Sequence, residues 1–446
     1  MKNIIKEKKK KMHFFKEIES FFFNLKSYDY ISQNSSIEFV KARAEARRTG
    51  GIFRRVISFF FQMYLSRKMV NSCPDEVDVV FIVSTKNQYD AIRLIDERLR
   101  LNNVNSNVLS ISHLVSDCRQ LPCLYSFLLA LPFLPVACLF YLTQLNDEGE
   151  RLRLVYSFDQ LILAFGHRIL IPKWLEKIRP KLVILSNDHN IENRVVLDFC
   201  KRLKIKTAYV QHAAVSSEFP PLSQFDVAYL DGVYSRDIYN NKGRLSSEVY
   251  LTGVSKLDEQ KIKVNSVNFY KPDSISRIGI AINTLYKEEL FITVVDVLLG
   301  LGKKVVIRPH PGQKRNVSEL IDLLGSRNVS YSLPWEEDVG TFLLSLDVVV
   351  AGNSSILLEG CILKRKAVYV NIDNLEHDYY GFVKMGVAYN VDINSSTLRR
   401  DFDNIFNDTE SKHSFSKYYD ASVGESFYGY SCYKVAELVM NEVGLS

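Results

Sequence analysis

Residues 347–360 read DVVVAGNSSILLEG, an unbroken apolar run that ends in Gly352-Asn353-Ser354-Ser355 and passes at once into a helical pattern. A Val/Ala run without polar alternation predicts a strand buried on both faces, the kind found in parallel sheets. The turn after it places backbone amides and two hydroxyls at the start of a helix, where the helix dipole favours an anion. Ser354 or Ser355 can also act simply as the N-cap. About forty residues earlier, 303–315 reads KKVVIRPHPGQKR, a second strand ending in Arg308-Pro309-His310-Pro311. The prolines fix the backbone and remove its donors. That strand edge can hold a phosphate, with His310 donating and Arg308 offering a planar fork. The alternative is a histidine packed in a proline-rich turn.

Outward from these stretches, strand and helix patterns alternate. RIGIAIN (277–283), a helix over 288–301, the 303–311 strand, a helix over 317–324, VSYSL (329–333), a helix over 339–345, the 347–355 strand, a helix over 356–363 and KAVYVNI (366–372) form one series. A similar series precedes it: VDVVFIVST (77–85), a helix over 90–101, VNSNVLSI (104–111), KLVILS (181–186), a helix over 192–203, KTAYV (206–210), FDVAYLDG (225–232), a helix over 233–241 and VYLTG (249–253). Strands separated by helices argue for βαβ units and parallel sheets. The polar stretch 256–276, which carries Pro272, reads as the linker between them. The expected fold is α/β, with two doubly wound Rossmann-like domains over 75–260 and 275–446 and a helical, basic extension over 1–74. Such folds bind ligands beyond the carboxyl ends of their strands, so the site is expected in the cleft between the domains.

The formal charge of +6 is an N-terminal property. Residues 1–70 hold sixteen Lys and Arg against six Asp and Glu, so the rest of the chain is mildly acidic. Basic residues stand there beside clustered aromatics, including Phe21, Phe22 and Phe23 and the run GIFRRVISFFFQMYLSRK (51–68), as an interfacial helix requires. Helices packed on the protein's own surface are the competing reading. Glu17 and Glu19 interrupt any signal-peptide core, and no secretion signal is read. Residues 121–145 are uncharged and long enough to span a bilayer, but Pro132 and Pro135 lie in the middle, so a buried or membrane-dipping helical hairpin is expected. Seven cysteines without a CxxC pair fit a reduced cytosolic compartment rather than a disulfide framework or zinc site. Neither GxGxxG nor a P-loop is present, which removes the signatures of dinucleotide enzymes and ATP motors.

Together the two strand-end motifs resemble the HP and SS motifs of the C-terminal, donor-binding domain of bacterial capsule and sialic acid transferases. The same pairing occurs in polysialyltransferases, lipooligosaccharide sialyltransferases, Kdo transferases of capsule export and teichoic acid polymerases that use CDP-glycerol. The resemblance covers residues 278–371 and implies the two-domain GT-B fold. It also implies that His310 and Pro311 meet the nucleotide phosphate, that Ser354 and Ser355 hold phosphate or a sugar carboxylate, and that Glu359 binds the ribose. Arg308 and Asn353 complete the expected donor set.

In the first series, ILSNDHN (184–190) ends a strand with Asn187, Asp188 and His189, and AYVQHAAVSSEFPPL (208–222) ends the next with Gln211 and His212. Transfer to an acceptor hydroxyl needs a base, and two adjacent strand ends supply candidates. His212 titrates near neutrality without tuning, so it is expected as the base with Asp188 orienting it. Asn187, His189, Gln211 and Glu218 are expected around the acceptor. QHA resembles the QHG-like turn of surface-polysaccharide transferases, with Ala213 in place of glycine, and VYLTGVSKLD (249–258) resembles the strand and turn before their linker. The acidic motif of some sialyltransferases is missing. No metal site and no cofactor are expected, since neither a DxD-type pair nor a third ligand accompanies Asp188, His189 and His212.

These readings converge on an inverting, metal-independent glycosyltransferase at the cytoplasmic face of the inner membrane. Its donor would be a nucleotide sugar, with a CMP-linked nonulosonic acid as first candidate, and its acceptor a lipid-linked glycan of capsule, O-antigen or lipooligosaccharide type. Expected partners are the lipid surface and polysaccharide assembly proteins, not nucleic acid. Rival readings are a CDP-polyol phosphotransferase of teichoic-acid type, a non-hydrolysing sugar-nucleotide epimerase, which needs neither acceptor nor membrane, and a non-catalytic assembly subunit.

Overall fold

The computed structural model describes residues 16–445 except 17, 22–29, 47–49, 68, 70–75, 114, 144–146, 216–217, 244, 246–247, 267–274, 312–316, 374–376 and 409–428. Phe22, Phe23 and Pro272 lie outside the described residues. Seven strands form the first sheet: β1 (Val79–Val83), β2 (Ser106–Ser110), β3 (Arg119–Gln120), β4 (Leu182–Leu185), β5 (Lys206–Val210), β6 (Val227–Leu230) and β7 (Glu248–Leu251). Their order is β3-β2-β1-β4-β5-β6-β7, and every pairing is parallel. The second sheet holds β8 (Arg277–Ala281), β9 (Lys304–Arg308), β10 (Val329–Tyr331), β11 (Val348–Ala351), β12 (Lys366–Val370) and β13 (Tyr389–Val391), in the order β10-β9-β8-β11-β12-β13 and again all parallel. The chain winds one way from β1 and β8, then returns to the other side through β4 and β11. Each sheet therefore has a switch point, where the crossover loops separate and leave a crevice at the strands' carboxyl ends. β1, β4 and β11 are buried along their whole length and β8 after its first residue, which is why these strands lack polar alternation.

Three expectations change. The region read as a linker begins with a 3-10 turn, Ser255–Leu257, and a helix, Asp258–Ser266. Its Lys261 is fully buried and ion-paired with Asp258 Oδ1 at 2.8 Å, so this segment is packed structure whose charges satisfy each other. The last helix, Ser431–Glu442, does not belong to the second domain. Its Cys432, Val435, Ala436 and Val439 lie at helical spacing in the core around the helix Lys86–Leu101, and Asp258 Oδ2 accepts from the Cys432 amide at 2.7 Å. The chain thus returns to finish the first domain. Residues 121–145 do not form a hairpin. The run Leu124–Thr143 stays helical, tightening to a 3-10 turn at Leu131–Phe133 around Pro132. β1 before it and β4 after it are hydrogen-bonded neighbours, so the chain enters and leaves this helical region on the same side and a lone crossing by Leu124–Thr143 does not fit.

The helix Glu148–Ile178 has no counterpart in the sequence reading. It is 31 residues long and surrounded on most sides, so it lacks the one-sided periodicity that betrays a surface helix. Helices of the N-terminal segment, Ile37–Ala46 and Ile52–Ser66, pack against it, as does Leu124–Ala130. Phe21, read as a membrane-facing ring, is buried between Phe133 and Phe165, with ring centroids 5.2 and 5.9 Å away.

The helix Ile52–Ser66 has its faces reversed. Arg55, Ser58 and Gln62 all reach Asp159 on the long helix, with Ser58 Oγ and Gln62 Nε2 each 3.0 Å from Asp159 Oδ2. This polar edge, with Phe59, faces inward. Phe53, Ile57, Phe60, Phe61 and Tyr64 face outward, between 41% and 76% exposed. On the neighbouring run, Tyr125, Leu128, Leu139 and Leu142 are exposed together with Pro132 and Pro135, a stripe at alternating three- and four-residue spacing.

Candidate active site

The loop after β4 is built by Asn187. Its Oδ1 accepts from the amides of His189 (2.9 Å) and Asn190 (2.8 Å), which turns the chain into the helix Ile191–Leu203. Asp188 is then fully buried, with Oδ1 3.0 Å from His189 Nδ1 and Oδ2 accepting from the Tyr239 hydroxyl at 3.0 Å. Burial holds the Tyr239 and Tyr209 phenols far above their ordinary range, so Tyr239 stays a donor. His189 donates from Nδ1 to the carboxylate, which leaves Nε2 as the ring's acceptor, 3.2 Å from Asn187 Nδ2. Its ring stacks on Phe219 at 4.5 Å and lies 6.5 Å from the ring of His212. Glu218, next to Phe219 on the loop after β5, is partly exposed. Both oxygens of Asp188 are thus engaged by His189 and Tyr239. The expectation that Asp188 orients His212 is corrected: the carboxylate points to its own neighbour.

After β5, Gln211 ties two strand ends together rather than facing an acceptor. Its Nε2 donates to the Ala213 carbonyl (2.9 Å) and Ser235 Oγ (3.0 Å), and its Oε1 accepts from the Asp231 amide at 3.0 Å. Ala213 does not adopt a positive φ, so the turn works without glycine. His212 is partly buried, with Nδ1 enclosed and without a hydrogen-bond partner. Burial, then the nearby His189 and Lys256, drive its pKa down to about 3, so the ring is neutral at physiological pH.

The domains meet beside His212. Lys256, just after β7, donates from Nζ to Glu359 Oε1 of the second domain at 2.6 Å and to the His212 carbonyl at 3.4 Å. Glu359 Oε1 also accepts from Ser355 Oγ at 3.3 Å. Asp231, at the end of β6, lies close by, its carboxyl pushed up to about 8 by burial. These groups line a cavity of about 10 Å³, together with Gln211. That space is on the order of one water.

The donor motifs divide. Arg308 is buried and committed within its own domain: Nη1 donates to Ser332 Oγ (2.6 Å), Nη2 to the Glu337 carbonyl (2.9 Å), and the guanidinium lies over the Phe342 ring at 5.0 Å. This corrects its reading as an open phosphate fork. His310 and Pro311, beyond the end of β9, are exposed. Asn353 is a structural brace as well. Its amide and Nδ2 meet Asp373 at 3.1 and 3.3 Å, and its Oδ1 accepts from the Tyr379 amide at 2.9 Å. Ser355 is the N-cap residue of the seven-residue helix Ile356–Ile362, with no capping bond from its side chain, and Ser354 Oγ is 3.5 Å from the Ile356 amide. The structure thus gathers Gln211, His212, Ser355 and Glu359 into one interdomain cavity. Arg308, His310, Pro311 and Asn353 do not line it. Lys256 and Asp231 were missed, although both follow the ends of strands, the signal that singled out Asp188.

No family model and no curated protein matches this chain. Solved structures do. UDP-GlcNAc 2-epimerase from Methanocaldococcus jannaschii is 13% identical with a TM-score of 0.51, over 82% of this chain and 99% of that one. The UDP-GlcNAc 2-epimerase from Neisseria meningitidis, solved bound to UDP-GlcNAc, is 12% identical with a TM-score of 0.53, over 83% and 100%. The wall teichoic acid polymerase TagF is 13% identical with a TM-score of 0.50, over 88% and 98%. The fold is GT-B. At these identities the likeness extends to architecture alone, so the GT-B chain's chemistry rests on its own residues.

Proposed function

We propose that this GT-B protein is a transferase that moves a glycosyl group from a nucleotide donor to a lipid-linked glycan at a membrane surface. The observation that carries this reading is the reversed helix Ile52–Ser66. It spends its polar edge on Asp159 and turns Phe53, Ile57, Phe60, Phe61 and Tyr64 to the outside, beside a second helix with an uncharged outer stripe. An enzyme acting on a small soluble nucleotide sugar gains nothing from such a face. One that must reach an acceptor anchored in lipid does, with exposed Arg54 and Arg67 at the helix ends available to anionic headgroups. That acceptor sits at the cytoplasmic leaflet, where nucleotide donors are found.

In this reading the acceptor hydroxyl enters between His189 and His212. It attacks the anomeric carbon, the bond to the donor phosphate breaks, and the proton passes to His189 Nε2 as the acceptor hydroxyl takes the place of Asn187 Nδ2 on that nitrogen, with Asp188 holding the ring and stabilising the imidazolium. His189 thereby takes the role first given to His212. Ser355 and Glu359 face the donor across the cleft. A CMP-linked nonulosonic acid remains the first donor to try.

The test is nucleotide release from CMP-sugar, UDP-sugar and CDP-glycerol panels, with and without vesicles carrying a lipid-linked glycan. Release from a sugar donor only in the presence of acceptor is the expected result. Interconversion of a UDP-sugar without acceptor would sink the proposal in favour of an epimerase, and release from CDP-glycerol alone would favour a polyol-phosphate transferase.

A further inference from the structure

The interdomain cavity has one cation among its lining residues, Lys256, and two carboxyl groups, Asp231 and Glu359. Lys256 is set there firmly. The chain turns at Gly253, whose φ of +78° suits glycine, and Ser255 Oγ then donates to the Ala91 carbonyl at 2.9 Å. Lys261 Nζ donates to the Val254 carbonyl at 2.8 Å, so both neighbours of the turn are held. The side chain crosses to the second domain and ends on Glu359, with both partners about nine-tenths buried. It is a tie between the two walls of the cleft.

A cavity of about 10 Å³ does not admit a phosphoryl group. A donor enters only when the walls part, and parting them breaks the Lys256–Glu359 pair. Two buried charges cannot be separated without replacement partners, because each would be left uncompensated. A nucleotide supplies both replacements: phosphoryl oxygens for the ammonium and ribose hydroxyls for the carboxylate. Another strand-end cation, Arg308, is occupied by Ser332 and Glu337 and does not line this cavity.

We propose that Lys256 is the phosphate-binding residue of the cleft, and that Glu359 holds the phosphate's place in the nucleotide-free protein until the donor displaces it. The inference rests on the reading of the cleft as a nucleotide site. It makes donor binding and domain separation one event, since the group that binds phosphate is the group that holds the domains together.

The experiment is calorimetric titration of the full chain with CMP, CDP, UDP, GDP and inorganic pyrophosphate, using K256R, E359Q, K256M and the double variant K256M/E359Q. The double variant leaves no unpaired buried charge, so it keeps the test valid if K256M alone unfolds; thermal melting checks each protein. Wild type is expected to bind at least one nucleotide. K256M/E359Q should weaken it by about 30-fold or more and lose pyrophosphate, while K256R stays within about fivefold of wild type. E359Q should bind pyrophosphate about tenfold more tightly, because Lys256 no longer has to leave a partner. Nucleotide binding unchanged in the folded double variant, or pyrophosphate affinity unchanged in E359Q, would overturn the role of Lys256 while leaving the nucleotide reading standing. Failure of wild type to bind any of the four nucleotides would overturn both.

Discussion

Replacing Phe53, Phe61, Leu139 and Leu142 together by serine should detach the protein from anionic membranes without unfolding it. The four side chains are 76%, 45%, 64% and 55% exposed, so little of their area contributes to the core. The exposed fractions amount to roughly two to three whole side chains, and at about 2 kcal/mol per buried Phe or Leu their insertion is worth on the order of 4–6 kcal/mol. The headgroup boundary is less apolar than hydrocarbon, yet even half of that figure corresponds to about 30-fold or more in partitioning. Flotation with vesicles of phosphatidylcholine and phosphatidylglycerol reads this directly, and salt should weaken the remaining attraction of Arg54 and Arg67. A serine variant that floats like wild type, with an unchanged melting temperature, would refute the membrane role of these stripes. So would a wild-type protein that never leaves the bottom of the gradient.

Three further outcomes are expected. A methyl group at Gly166 would meet the Ser126 carbonyl oxygen at 1.8 Å, so Gly166→Ala must push the run Leu124–Thr143 off the long helix. It should lose about 3 kcal/mol or more in urea unfolding, and a loss below about 1 kcal/mol would contradict the close approach. His189→Ala should lower turnover about 10²- to 10⁴-fold, Asp188→Asn less, and His212→Ala least, with nucleotide affinity kept in the first two; full turnover by His189→Ala places the base elsewhere, with Glu218 next to test. Asp231 carries a raised folded pKa of about 8, so its contribution to stability is present below the unfolded value near 4 and is lost as pH rises toward 8. Asp231→Asn, neutral throughout, should therefore gain in melting temperature over wild type between pH 4 and pH 8, and parallel curves would show that the carboxyl is ionised in the folded protein.

Much of the fold was legible because parallel strands buried on both faces leave unbroken apolar runs, as in VDVVFIVST and DVVVAGNSS. The helix Glu148–Ile178 was not, because a helix enclosed on most sides has no polar face to set a period. Site residues divided on similar grounds. Strand ends marked the right loops, and His212, Ser355 and Glu359 do line the cleft. Which of the side chains on those loops face it was invisible, since Arg308, Asn187 and Asn353 carry the polar chemistry of a binding site and use it to brace turns.

By itself the sequence determined the two βαβ series and the strand ends where chemistry could gather, because those follow from local period and composition. Only the tertiary structure decided the partners. It returned the last helix to the first domain, turned the aromatic edge of Ile52–Ser66 outward, gave Asp188 to His189 rather than His212, and joined Lys256 to Glu359 across the cleft. Each of these depends on residues far apart in the chain or on which of two adjacent loops a side chain turns to. Packing and burial settle such choices, and no local pattern encodes them.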